Sequence, residues 1–176
     1  MSTQIFMVFD VESVGLHGEG YAVGWWVVDR AGNRVASAQY VCDPAEAEGD
    51  DAGRAWVAAN APVPGRGYNC RAPRHVRDEF WRAWEYARTR GAVLVADCPW
   101  PVESNFLRRC VEDDPSRAEA GPYPLVDVAS VRLAAGLDPL ASAPRLDGEL
   151  PAHDPLRDAR QSARLLIEAL DKYAGR

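Results

Sequence analysis

A chain of 176 residues fits one domain and is long enough to bury a sizeable single core. With 47% hydrophobic and 26% charged residues it has an ordinary globular balance, which excludes disordered and fibrous classes. The net charge of -6 excludes a general nucleic-acid coating protein, yet it suits a carboxylate site, whose local sign bound divalent cations reverse.

The first predicted element is a strand over 4–9, an apolar run of strand formers that ends at Asp10. A second strand follows over 21–29, and the turn Ala31-Gly32-Asn33 leads to a third over 34–42. These three form an antiparallel meander. From 43 to 72 the chain is rich in Gly, Pro, Ala and acidic residues, which predicts a loop with at most a short helix over 55–60. Val76, Phe80, Trp81, Trp84 and Ala87 recur at helical spacing within 74–90, and Gly91 stops that helix. The continuous apolar run 92–96 ends at Asp97 and reads as a buried parallel strand. A helix over 102–111, a short strand over 123–126 and a helix over 128–135 come next. The last helix, 155–173, has a buried stripe of Ala159, Ala163, Leu166, Ile167 and Leu170. The order βββαβαβαα predicts an α/β fold with a mixed sheet and helices on both faces.

No apolar run reaches the roughly 18–20 residues that span a membrane. Met1–Val8 lacks the basic region and long apolar core of a secretory signal, so a soluble cytoplasmic protein is the expectation. Cys42, Cys70, Cys98 and Cys110 are widely spaced and form no C-x-x-C pair, so free thiols are expected.

Three acidic motifs carry the chemistry. In Phe9-Asp10-Val11-Glu12-Ser13, two carboxylates stand two residues apart on an extended segment and project to the same side. Such a pair repels itself unless a cation lies between, and hard ions such as Mg²⁺ or Mn²⁺ take oxygen ligands of this kind. Two solvated acids at a strand end are the plainer account. In His153-Asp154-Pro155-Leu156-Arg157-Asp158, Pro155 opens a helix and Asp158 falls in its first turn, with His153 on the approach. An imidazole near a metal-bound carboxylate can take a proton from water at neutral pH. Helix capping by Asp154 and Asp158 explains the same residues. Between these motifs, Asp97 ends the buried strand and Glu103 opens the next helix, both able to reach a site at the strand's C-terminal end. Glu103 also complements its own helix dipole.

The D-x-E after an apolar strand, an acid three residues before Phe106-Leu107, and a late H-x4-D together resemble the DEDDh 3′–5′ exonucleases. That family includes ribonuclease T, oligoribonuclease and polymerase proofreading domains. The resemblance runs from Asp10 to Asp158 with the motifs in the family's order. It implies a ribonuclease-H-like fold and a single exonuclease domain over 1–176. It also implies two divalent ions, Mg²⁺ or Mn²⁺, on Asp10, Glu12, a central acid and Asp158, with His153 as general base.

Matching on Phe106-Leu107 puts Glu103 where the family has its central Asp. The family's Gly-His-Asn run is replaced by Ala96-Asp97-Cys98-Pro99-Trp100, which leaves Asp97 as a rival or additional metal ligand. Ser13-Val14 stands where the family more often has Thr-Thr. By resemblance, Ser13, Gly15 and Leu16 hold the terminal nucleotide, and Trp100 is the loop aromatic placed to touch it. The implied partner is the 3′ end of a single-stranded nucleic acid. The small size, with no polymerase or helicase segment in view, favours RNA over DNA; a homodimer is an open expectation because small relatives form them. A second class of function stays open: a nuclease-like module that binds ends with weak or no cutting. Glu103 in place of Asp favours it.

Overall fold

The computed structural model describes residues 4–62 and 67–175. Its central strand, β1 (Ile5–Ser13), is buried on both sides. Met7, Phe9 and Val11 join one apolar cluster, whereas Phe6 and Val8 join a second one across the sheet. β1 pairs antiparallel with β2 (Gly20–Asp29), which pairs antiparallel with β3 (Arg34–Val41). On its other side β1 runs parallel to β4 (Val93–Ala96), and β4 runs parallel to β5 (Leu125–Asp127). The sheet order is therefore β3-β2-β1-β4-β5. β4 pairs with β1 only along Phe6–Val8. The end of β1 that carries Asp10 and Glu12 thus overhangs its neighbour, with free space where helices can bring side chains in.

Among the described residues, five α-helices complete the fold: α1 (Asp51–Asn60), α2 (Pro73–Arg88), α3 (Val102–Asp113), α4 (Val128–Ala134) and α5 (Pro155–Ala174). α2 and α3 cover the Phe9 face, where the Phe9 and Phe80 rings lie 5.0 Å apart and Phe80 meets Phe106 edge-on at 5.3 Å. Trp81 and Trp84 are buried there as packing. α4 and α5 cover the opposite face through Val128, Ala163, Leu165 and Leu166. The mixed sheet with helices on both faces is the architecture that the element order predicts. All four cysteines are free thiols. Among the described residues, no helix is long and apolar enough to cross a membrane.

Two segments depart from expectation. β1 runs on to Ser13, beyond the apolar run, because its pairing with β2 continues that far. The expected loop over 43–72 contains a full helix, α1, so the order is βββααβαβαα. Acidic and glycine-rich composition suggested a loop, but Asp50 caps this helix by accepting from the Gly53 N–H at 2.6 Å. Ala52, Ala55, Ala58 and Ala59 then favour the helical backbone. Residues 63–66 of that expected loop lie outside the described residues.

Between α4 and α5, residues 137–152 form an irregular strap laid along α5. Glu149 is its anchor, buried to 2% exposure. The Glu149 carboxylate accepts from Arg164 Nε at 2.8 Å and from the Leu146 N–H at 2.9 Å. Arg164 also donates to Pro144 O at 3.0 Å, and Gln161 to Ala143 O at 3.2 Å.

Candidate active site

Three elements remote in sequence deliver carboxylates to the overhanging end of β1. Asp10 and Glu12 have the strand parity of Phe6 and Val8, so they face α5. Opposite Asp10 in the β1–β2 register stands Gly24. A Cβ on Gly24 would lie 2.2 Å from Leu156 N and 2.2 Å from the Pro155 carbonyl carbon. Only glycine lets the first turn of α5 come down this close to the sheet.

That first turn is built by Asp154, whose carboxylate accepts from the Leu156 and Arg157 N–H groups, and by Pro155 at its start. The capping account of Asp154 is therefore correct. Asp158 does something else: it turns inward, and its Oδ2 accepts the His153 N–H at 3.0 Å. His153 itself holds a left-handed backbone with φ 61°. Ligand atoms of Glu12, His153 and Asp158 all lie within 4.8 Å of one another.

Glu103 arrives from the other face. It sits in the first turn of α3, buried, and its Oε1 accepts the Val11 N–H at 3.2 Å. That amide is on the overhanging part of β1, and Phe106 one turn later locks α3 against Phe80.

The electrostatics record how crowded the cluster is. Withdrawal from water, then the charges of Glu103, Glu12 and Asp158, push the Asp10 carboxyl well above the usual carboxylate range. Burial, followed by Asp158, Glu103 and Asp154, pushes Glu12 up to about 8. Burial pushes Glu103 up to about 7, against the backbone hydrogen bonds it accepts. Burial also raises Asp158, opposed by Arg145 and by the His153 N–H. Four carboxyls that resist ionisation together make a strong receptor for cationic charge.

Asp97 goes elsewhere. Its ligand atoms cluster with Cys98 and Asp127, and after burial the Asp127 charge is the main influence on it. Asp127 is itself the cap of α4, accepting from Cys98, Ala129 and Ser130 N–H groups. Asp97 acts on Glu103 but is not among the largest influences on Asp10 or Glu12.

A cleft of 460 Å³ opens beside the carboxylates, lined by Val11, Glu12, Ser13, Gly15, Leu16, Trp56 and Val102. Three of the expected substrate-binding residues, Ser13, Gly15 and Leu16, are therefore on its wall. The Ser13 hydroxyl donates to Gly15 O at 2.8 Å, so it shapes the loop from within. Leu16 stands 67% exposed at the lip. Trp100, the fourth, is 74% exposed and is not among the residues lining that cleft. His17 is exposed. Arg108 pairs with Glu112, and Arg109 pairs with Glu48, so both have acidic partners on the protein.

Two residues at the site escaped the sequence. Trp56 on α1 meets the His153 ring edge-on at 4.8 Å. It reaches there because α1 packs on the β1–β2 loop at Gly53, where a Cβ would be 2.7 Å from Gly15 N. The other is Arg145, on the strap. Its Nη1 donates to Asp158 Oδ1 and, at 2.9 Å, to Glu149 O. Neither residue has a local pattern, since each contact joins elements set by the tertiary fold.

No family model and no curated protein matches the chain. Solved structures do. Escherichia coli exonuclease I, in a zinc-bound complex with single-stranded DNA, matches with a TM-score of 0.63 at 13% identity, over 94% of this chain and 40% of that one. The same enzyme with a dA16 oligonucleotide matches at 0.63 and 14%, over 98% and 42%. Exonuclease I from Methylocaldum szegediense matches at 0.62 and 15%, over 94% and 40%. The chain spans about two fifths of the length of these exonucleases. What it shares with them is the ribonuclease-H-like α/β fold.

Proposed function

We propose that the chain is a metal-dependent 3′–5′ exonuclease acting on single-stranded 3′ ends. One observation carries this reading: β1, α3 and α5 bring Glu12, His153 and Asp158 within 4.8 Å of one another and seat Glu103 on the Val11 N–H, beside a cleft that Glu12 lines, with Asp10 two residues before Glu12 on the same strand. The donor set fits divalent cations. It offers hard carboxylate oxygens, held together despite mutual repulsion, as Mg²⁺ or Mn²⁺ prefers. Asp10, Glu12, Glu103 and Asp158 would hold two such ions, which when bound polarise the scissile phosphate and activate water.

The remaining work falls to the chain's own side chains. His153, beside Glu12 and Asp158, accepts the proton of the attacking water. Asp158 fixes that histidine through its backbone N–H, while the Trp56 edge limits the swing of the imidazole. The terminal base enters the cleft between Leu16, Val102 and Trp56, where apolar and aromatic surface takes any base. Leu16 at the lip separates it from the next base. Trp100 lies outside that cleft and would meet the strand further from its end. Two of the solved neighbours hold DNA, one as a single-stranded DNA complex and one with a dA16 oligonucleotide, which makes DNA the leading substrate and RNA the comparison.

Arg145 on Asp158 favours a second reading, an end-binding module with weak turnover. One assay separates the two: 5′-labelled single-stranded DNA and RNA incubated with the protein, with and without Mg²⁺ or Mn²⁺. A metal-dependent ladder shrinking from the 3′ end is the expected result. Retention of the oligonucleotide without shortening supports the module, and neither binding nor shortening sinks both.

A further inference from the structure

The carboxylate cluster already contains a cation. Arg145 Nη1 donates to Asp158 Oδ1, while Asp158 Oδ2 accepts the His153 N–H, so both oxygens of that carboxylate are engaged. The guanidinium charge also reaches Asp10 and Glu12, lowering the pKa that burial and repulsion raise. Nor is this a long side chain that has fallen by chance onto an acid. Arg145 is three-quarters buried, and the same Nη1 donates to Glu149 O at 2.9 Å. Glu149 is in turn fixed by Arg164 and by the Leu146 N–H, next along the chain from Arg145. The strap therefore places Arg145 from two directions. Arginine stays charged at any working pH, so its contribution to the cluster is permanent.

We propose that Arg145 is an internal counter-cation that competes with a divalent ion for Asp158. This rests on the metal-dependent reading above. Without metal, Arg145 relieves the repulsion among Asp10, Glu12 and Asp158 and keeps α5 seated on the sheet. A divalent ion that takes Asp158 Oδ1 as ligand comes up against the guanidinium charge already bonded to that oxygen, so the two cations repel and the ion binds at the expense of the Arg145 contact. The two events are linked, and a linkage of this kind is typically worth about 5- to 150-fold in affinity. Arg145 thereby sets the ion concentration at which the site fills.

The test is the dissociation constant for Mn²⁺, measured by calorimetry on wild type, Arg145→Gln and Arg145→Lys. Arg145→Gln should bind Mn²⁺ about tenfold more tightly while melting lower in the absence of metal. Arg145→Lys keeps the charge and should stay near wild type. A merely structural role for Arg145 would lower the melting temperature and leave Mn²⁺ affinity unchanged or weaker, which overturns the proposal. If wild type and variants all fail to bind Mn²⁺, the metal-dependent reading falls as well. Tighter binding by Arg145→Gln with wild-type binding intact supports both. Wild type alone gives a second measurement, needing no variant to fold. Diamagnetic Mg²⁺ should shift the ¹⁵N side-chain resonance of Arg145, and an unmoved resonance at saturating Mg²⁺ would equally overturn the idea.

Discussion

His153 shows how much the site depends on one residue's backbone and ring together. Its φ of 61° is a region where Asn is tolerated and most side chains are strained, so His153→Asn is the substitution that keeps the backbone. It removes the proposed proton acceptor but leaves the N–H that Asp158 accepts. Turnover should fall about 10²–10⁴-fold, the range of a lost general base, with Mn²⁺ affinity and melting temperature near wild type. Steady-state rates and a metal titration on the same preparation check this; wild-type turnover would reassign His153 to the loop's structure. Glu103 is a different case. As a proposed ligand it would rely on the reach of its longer side chain and on the Val11 N–H that orients it.

At the scale of elements, the site exists because α5 lands on a glycine. Gly24→Ala puts a methyl group into the backbone of Pro155 and Leu156, so the first turn of α5 must retreat. Overpacking of this kind costs roughly 1–3 kcal/mol, readable as a lower urea midpoint. Asp158 retreats with the turn, and a displacement of about 1 Å is enough for about a 10²-fold loss of turnover. Wild-type activity in Gly24→Ala would show that Asp158 does not need this seat. The contact also explains what the sequence could and could not disclose. Asp10 and Glu12 are legible because a strand has period two, and Asp158 because Pro155 marks where its helix begins. Glu103 is legible only through its spacing to Phe106-Leu107. Gly24, Trp56 and Arg145 carry no such local mark. Their importance comes from β2 meeting α5, α1 meeting the β1–β2 loop, and the strap meeting Asp158. The fold class was readable from the element order, whereas α1 was expected as at most a short helix over 55–60, its first turn being masked by a composition that resembles a loop.

For the whole molecule, the cluster turns pH into stability. Unfolded Asp and Glu titrate near about 4, whereas in the fold Glu12 sits at about 8 and Glu103 at about 7, with Asp10 and Asp158 also raised. Between those limits the folded state binds more protons than the unfolded one, so stability falls as pH rises. The carboxyls that accepted hydrogen bonds lower, among them Asp29, Asp114 and Glu149, act below that window. In the presence of a chelator, the melting temperature should therefore be lower at pH 8.5 than at pH 5.5, and saturating Mn²⁺ should reduce the difference. A melting temperature that is flat or rises with pH would show that the carboxyls are not held together as described. The central claim is that β1, α3 and α5 together form one divalent-cation site, and anomalous scattering from crystals grown with Mn²⁺ tests it most directly. Manganese peaks bounded by Asp10, Glu12, Glu103 and Asp158 are the predicted result; no manganese there, or manganese on Asp97 and Asp127 alone, would contradict it.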